Sequence, residues 1–237
     1  MIVAVIPFRA NSKGVPGKNT RLVAGKPLWV WSLEAAERAR CVDRIIITTD
    51  IDRVSLFNRT GIGALDQLYT SAGISLRTEY IQRPAELATD TATLDEVLIH
   101  AADASVPRLP DDAIIMLLQP TVPVRRPGLL DDCSILFSRF PAAKSLLTAN
   151  PLHYIWHGDS GRLLNPPRRN RQDMSGEQRY FHEDGSVFMV RAGDLRATGS
   201  RVVEPVVLFE TEQTVDIDTE ADMRLAASLL SCNDGTK

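Results

Sequence analysis

The sequence has few cysteines, few histidines and no long apolar run, and each shortage removes a class of protein. Only three cysteines, Cys41, Cys133 and Cys232, occur in 237 residues. Their odd number and irregular spacing give neither a disulfide framework nor a zinc motif, so reduced thiols in an intracellular protein are expected. The four histidines, His100, His153, His157 and His182, include no pair with a convincing metal spacing. The apolar start, Met1 to Pro7, is far too short to span a bilayer. It also lacks the basic leader and cleavage site of a signal peptide, so a soluble, cytoplasmic protein without a membrane partner is expected. No Gly-x-Ser-x-Gly elbow is present, which disfavours a hydrolase triad. Gly17-Lys18 is followed by Asn19 rather than Ser or Thr, so it is no P-loop. Gly61-Ile62-Gly63 lacks the third glycine of a dinucleotide fingerprint, because position 66 is Asp. No repeat or low-complexity segment appears. The net charge of −3 argues against a dedicated nucleic-acid binder.

What is present is an ordinary globular composition, 44% hydrophobic, with positive charge gathered in two places. Arg9, Lys13 and Lys18 crowd the start, and Arg168, Arg169 and Arg171 form a second cluster. Such clusters on a mildly acidic chain suit a small anionic ligand. Short β-branched runs at Ile2–Ile6, Ile45–Thr49 and Ala113–Leu118 read as buried strands, and a further strand is expected over Leu76–Gln82. Helical patterns run from Pro27 to about Ala39, over Thr93–Ala104 with Leu94, Val97, Leu98 and Ala101 on one face, and over Pro127–Phe140. A short helix is expected after Asp52. This alternation predicts an α/β fold, Rossmann-like, with a mostly parallel sheet and helices on both faces. The rhythm changes after Ala142. Lys144–Thr148, Tyr154–Trp156 and Val187–Val190 look like strands with little helix between them. One domain over 1–237 is expected, with a small β-rich insertion or dimer arm at approximately 142–186. A strand at Val206–Phe209, the segment Val215–Asp218 and a helix over Thr219–Leu230 close the chain.

Chemistry concentrates in three segments. Phe8 to Asn19 follows the first strand, and ligands of open α/β sheets bind beyond the carboxyl ends of strands. It carries three cations, Ser12, Gly14 and Gly17. Glycine lets backbone N–H groups approach phosphates, and arginine grips them as a fork. The alternative is a plain solvated turn. In Val215-Asp216-Ile217-Asp218, alternate side chains of extended backbone point the same way, so Asp216 and Asp218 are candidates to share one Mg2+. The competing reading makes Asp218 or Thr219 the cap of the last helix. A second Asp-x-Asp, Asp50-Ile51-Asp52, serves equally as a helix start. Gln119, at the end of the central strand, can read a base edge or a sugar hydroxyl, or satisfy a turn.

Taken in order, these segments resemble the CMP-sialic acid synthetases, the acylneuraminate cytidylyltransferases. The resemblance rests on Ile6-Pro7-x-Arg9-x-x-Ser12-Lys13-Gly14-x-Pro16-x-Lys18-Asn19, on Gly25-Lys26-Pro27-Leu28 and on Thr49-Asp50. It continues through Arg83-Pro84-x-x-Leu87-Ala88-x-Asp90 and Leu118-Gln119-Pro120-Thr121, then Glu183-x-Gly185 and Val215–Glu220. It implies a nucleotide-diphospho-sugar-transferase-like fold, a homodimer, and CTP plus a small acidic acceptor as partners. It also implies roles. Arg9, Ser12, Lys13, Lys18 and Asn19 would hold CTP, with Arg83 in the nucleotide pocket. Gln119 would lie between nucleotide and sugar, and Arg171 would reach the acceptor across the dimer. Asp216 and Asp218 would bind Mg2+ or Mn2+. Lys18, Arg9 and Asp218 are the expected catalytic groups. Where the family reads Asn-Gly-Ala-Ile-Tyr, this chain has Asp184-Gly185-Ser186-Val187-Phe188. Phe188 therefore replaces a hydroxyl at the expected acceptor pocket, a change that shifts substrate choice. The resulting expectation is CMP transfer from CTP to a nonulosonic sugar acid with release of pyrophosphate. A phosphonate acceptor, a metal-dependent glycosyltransferase and an inactive nucleotide-binding module are the alternatives.

Overall fold

The computed structural model describes residues 1–12, 14–59, 77–152, 158, 180–212 and 214–233. At its centre lies β1 (Ile2–Pro7), which pairs in parallel with β4 (Arg44–Thr49) on one side and β6 (Ile114–Leu117) on the other. Alternation along β1 explains why every position is apolar. Val3 and Val5 enter one core, whereas Ala4 and Ile6 enter another on the opposite face. Pro7 ends the strand because it has no N–H to donate.

Between β1 and β4 lie a short hairpin, β2 (Leu22–Val23) with β3 (Lys26–Pro27), and helix α1 (Leu28–Arg38). Both turn residues of the hairpin, Ala24 and Gly25, have positive φ, the geometry of a tight two-residue turn. Beyond β4 come α2 (Arg53–Arg59) and β5 (Thr78–Gln82), which pairs in parallel with β4. Helix α3 (Leu94–Ala104) then returns the chain across β1 to β6. The second half contains α4 (Leu129–Ser138), β7 (Ser145–Leu152), β8 (Tyr180–Arg191), α5 (Ala192–Thr198), β9 (Val206–Glu210) and α6 (Glu220–Asn233).

The sheet order is β5-β4-β1-β6-β8-β7-β9. Among the described strands of this sheet only β8 runs against the rest. Helices α1 and α4 cover one face, through Trp29, Leu33, Leu130 and Phe137. On the other face α3 and α5 contribute Leu98, Ala101 and Leu195. A mostly parallel sheet with helices on both faces is thus what forms. The expected insertion is narrowed, however. Its ends at 145–152 and 180–186 belong to the main sheet, and Tyr154–Trp156 lies outside the described residues. Missing from the expectation are the β2–β3 hairpin, α5 and the full length of β8.

A third apolar cluster stands apart from the sheet. It gathers Val15 from the loop after β1, Leu28 and Trp31 from α1, Ile217 from the segment before α6, and Met223 and Leu230 from α6. Strand order reverses about β1, so the loops after β1 and β6 diverge and leave a crevice at the carboxyl edge. The third cluster closes one end of that crevice. The three cysteines are unpaired, and burial pushes the Cys133 thiol up to about 12, which makes it chemically inert. No described helix is long and apolar enough to cross a membrane.

Helix α3 starts with a capping box. The Thr93 hydroxyl accepts the Glu96 N–H, and the Glu96 carboxylate accepts the Thr93 N–H at 2.7 Å. Replacing Thr93 with Ala is expected to cost about 1 kcal/mol, read as a lower urea midpoint at unchanged slope; an unchanged midpoint would remove this cap from the account.

Candidate active site at the carboxyl edge of the sheet

The loop after β1 is tied down before it reaches the solvent. Phe8 is buried, stacks on Trp29 with ring centroids 5.6 Å apart, and donates its N–H to the Thr48 carbonyl. Next, the Ala10 N–H donates to Asp50 Oδ1 at 2.7 Å. The two carboxylates of Asp50-Ile51-Asp52 therefore divide their work. Asp50 anchors the loop, and Asp52 accepts the Ser55 N–H at 2.8 Å to start α2. Arg9 projects from this anchored backbone. Its guanidinium donates to the Thr89 carbonyl at 3.1 Å and pairs with Asp90 at 2.6 Å. Gly17 has a left-handed φ of 63°, which turns the chain into a single 3-10 turn over Lys18–Thr20.

Lys18 and Asn19 are buried, at 8% and 6% exposure, although both are polar. The Lys18 amine reaches across to the far end of the chain. It donates to the Ile217 carbonyl and lies 3.3 Å from Asp218 Oδ1. The Ile217 N–H in turn donates to the Thr121 carbonyl at 2.8 Å. A Cβ on Gly14 would sit 2.5 Å from the Asp218 carbonyl oxygen, so only glycine permits this approach. The basic loop and the acidic segment, about 200 positions apart in sequence, are in direct contact.

Capping of α6 falls to Thr219 and Asp222. The Asp222 carboxylate accepts the Thr219 N–H at 2.8 Å, and the Thr219 hydroxyl accepts the Asp222 N–H at 3.2 Å. These hydrogen bonds, with that to Thr219 Oγ1 foremost, hold the Asp222 carboxyl below its usual range. Asp218 is thereby released from the capping role and its carboxylate faces a cleft of about 390 Å³. Asp216 is exposed and does not contribute to the lining.

Arg83 lines the same cleft from the end of β5 and is 6% exposed. One nitrogen donates to the Thr48 carbonyl at 3.0 Å, while its Nε is buried without a protein partner. Burial lowers its pKa to about 10, opposed by Asp50 and reinforced by Arg9. Asn19 donates Nδ2 to the Arg9 carbonyl at 3.3 Å but leaves Oδ1 buried and unsatisfied. Unmet donors and acceptors are costly in an interior. Here an acceptor and a donor remain open on residues that line a cleft, an arrangement a bound polar ligand would satisfy.

Gln119 and Ser12 also line the cleft. The Gln119 amide lies 3.5 Å from the Gly185 carbonyl. Gly185 has φ +76°, and a Cβ there would stand 3.2 Å from both Gln119 Nε2 and Val122 Cγ2. This approach comes from an irregularity between β7 and β8, where pairing shifts between Leu147↔Phe188 and Ala149↔Glu183. Thr148 fills the gap, accepting the Val187 N–H at 3.0 Å and donating to Asp184. Phe188 itself requires a correction. It is 2% exposed, belongs to the core on the α3 face of the sheet and carries the Arg201 guanidinium over its ring at 4.9 Å. It is thus a core residue and does not line the cleft.

The structure therefore brings Arg9, Ser12, Gly14, Lys18, Asn19, Arg83, Gln119 and Asp218 to one cleft. Lys13, Arg171, His153 and His157 lie outside the described residues. No cluster of three metal-ligating side chains occurs among the described residues. Sequence reasoning missed the work of Arg125, Asp184 and Thr148, whose partners lie far away in the chain. Of the two caps it offered for the last helix, Thr219 is the one that forms, with Asp222 as its partner, which frees Asp218 for other work.

Residues 3–58 match a family model described as Cytidylyltransferase. CMP-N,N'-diacetyllegionaminic acid synthase of Legionella pneumophila is 28% identical over 98% of this chain and 97% of its own length. The N-acylneuraminate cytidylyltransferase of Escherichia coli is 34% identical over 96% of this chain, which spans 52% of that relative. Among solved structures, a CMP:2-keto-3-deoxy-manno-octonic acid synthetase complexed with CTP aligns at a TM-score of 0.67 and 18% identity, covering 98% of this chain and 99% of its own. That likeness establishes the shared fold. Similarity along nearly the whole chain, this fold and the union of its two distant charged segments converge: the chain is similar to the CMP-sialic acid synthetases and their cytidylyltransferase relatives, and it is a CTP-dependent nucleotidyltransferase.

Proposed function

We propose that this chain transfers the CMP group of CTP to a nonulosonic sugar acid and releases pyrophosphate. The observation that carries the reading is the contact of Lys18 and Gly14 with the Ile217–Asp218 segment on a cleft that also holds Arg9, Arg83 and Gln119. The acceptor class rests on the relatives, whose names specify a legionaminic acid and acylneuraminates. Those relatives give no support to the glycosyltransferase, phosphonate or binding-module readings. A cytoplasmic homodimer, working where CTP is available, completes the proposal, with Arg171 reaching the acceptor across the interface.

The anomeric oxygen of the acceptor attacks the α-phosphorus of CTP in line. A new O–P bond forms, the bond to the β-phosphate oxygen breaks, and the hydroxyl proton passes to a base. Positioning and charge neutralisation supply most of the acceleration in such transfers. Lys18 is suited to this work because its amine is held in a largely buried site, where charge acts strongly. Arg9 would exchange Asp90 for a phosphate, and Lys18 would exchange Asp218 in the same way. The open Asn19 Oδ1 and Arg83 Nε would bind the nucleoside side of the ligand.

What supports a hard cation is the chemistry of two neighbouring carboxylates, of which Asp218 lines the cleft. Ile217 is buried, and its two neighbours, Asp216 and Asp218, are exposed carboxylates. These two residues would hold Mg2+ or Mn2+, and a bound ion would offset phosphate charge. Asp218→Ala is expected to lower turnover by roughly a thousandfold while leaving the circular dichroism spectrum intact; near-normal turnover would refute the metal role. Pyrophosphate release from CTP should appear with nonulosonic acids in a panel that also holds eight-carbon sugar acids and small phosphonates. Tight CTP binding without release on any acid would sink the transfer reading.

A further inference from the structure

Arg125 is a charged residue with an elaborate set of partners that the proposed chemistry does not use. It does not line the active cleft; it borders a different cavity of about 520 Å³. Its guanidinium donates three ways: from Nε to the Ser186 carbonyl at 2.9 Å, from Nη1 to the Ser32 hydroxyl at 3.0 Å, and from Nη2 to the Gln119 carbonyl at 2.8 Å. The loop after β6, the bent start of β8 and helix α1 are thus joined through one planar group. Lysine, with a single compact amine, cannot span three such acceptors in a plane. Desolvation lowers the pKa of Arg125 to about 10, opposed by the field of Asp184. The group therefore stays charged at neutral pH.

Asp184 holds the other side of the same bend. It is 7% exposed and accepts the Ser186 N–H at 2.8 Å, together with the hydroxyls of Thr148 and Thr211. Gly185 sits between these two fixed points. Its neighbour on one side is anchored by three donors, and the carbonyl of its neighbour on the other side is anchored by Arg125. The carbonyl of Gly185 itself faces the Gln119 amide. Gln119 is held at its own carbonyl by Arg125, by the Val122 N–H at 3.2 Å and by the Ser32 hydroxyl at 3.4 Å. The Gln119 backbone cannot shift without breaking its hydrogen bond to Arg125, and Gly185 is held through its neighbours Asp184 and Ser186; bonds to buried charged groups are the expensive ones to lose.

We infer that Arg125 and Asp184 are positioning residues that fix the Gln119–Gly185 pair and, through it, set how the acceptor is seated. This inference rests on the proposed CMP transfer, with Gln119 between nucleotide and sugar acid. It assigns acceptor selectivity to a buried cation and a buried anion that need not touch the substrate.

The test compares Arg125→Lys, Arg125→Met, Gln119→Ala and the Arg125→Met/Gln119→Ala pair in the full chain. Arg125→Met should raise the KM for the sugar acid roughly tenfold or more, with the calorimetric Kd for CTP within about twofold of the parent. Arg125→Lys should recover part of the loss. The double variant should be no worse for the acceptor than Gln119→Ala alone, because both changes act through one amide. Equal losses in CTP binding and in acceptor KM, or independent effects of the two substitutions, would overturn the inference. If the parent turns over no sugar acid, the transfer reading itself falls. A crystal structure of Arg125→Met then decides the positioning claim separately: displacement of Gln119 from Gly185 supports it, and retention of their contact rejects it. Should Arg125→Met fail to fold, Arg125→Lys carries the same measurements.

Discussion

The site depends on one apolar contact that involves no catalytic group. Val15 and Ile217, both fully buried, meet in the cluster beside α1 and α6. Each is the only fully buried apolar residue of its short polar stretch, so its burial draws both stretches into one cluster once the sheet has formed. Their burial carries the flanking residues with them. Gly14 is drawn against the Asp218 backbone, and the Lys18 amine is aimed at the Ile217 carbonyl. Hydrophobic association without direction would leave the register loose. The close approach allowed by Gly14 and the N–H of Ile217 on Thr121 supply the direction.

Two of the cleft's cations are paired with carboxylates of the chain itself. Arg9 faces Asp90, Lys18 faces Asp218, and Arg21 pairs with Glu220 just outside. The Arg9–Asp90 and Arg21–Glu220 pairs are partly exposed and contribute little stability, so exchanging them for phosphate oxygens costs little. Their effect is on the ligand. A polyanion must displace resident carboxylates, which moderates its affinity and eases departure of the anionic product. The open polar atoms of Asn19 and Arg83 have no such resident partner. They reward a polar ligand in proportion to how well it fits them.

Much of this was legible in the sequence because short-range rules governed it. β1 read as a strand from its β-branched run, and α3 from its spacing. The basic loop and the Asp-x-Asp segment were visible as candidates. Their union was not, because no local rule joins residues about 200 positions apart; it came only from the family resemblance. Phe188 was misplaced for a different reason. A strand buried on both faces shows no polar alternation, so nothing local signals that Val187 and Met189 enter one core while Phe188 and Val190 enter the other. Arg125 and Asp184 were illegible because their partners lie 61 and 36 positions away or are backbone atoms, which leave no mark in sequence.

The reversed direction of β8 has a consequence for how such a protein can diversify. β7 ends at the carboxyl edge of the sheet and β8 begins there, with Leu152 directly opposite Tyr180. The ladder fixes those two strand ends against each other at the edge where the cleft also opens. Substitutions at that edge leave every register of the parallel frame as it is, so the edge and the phosphate-facing loop after β1 can change independently of each other.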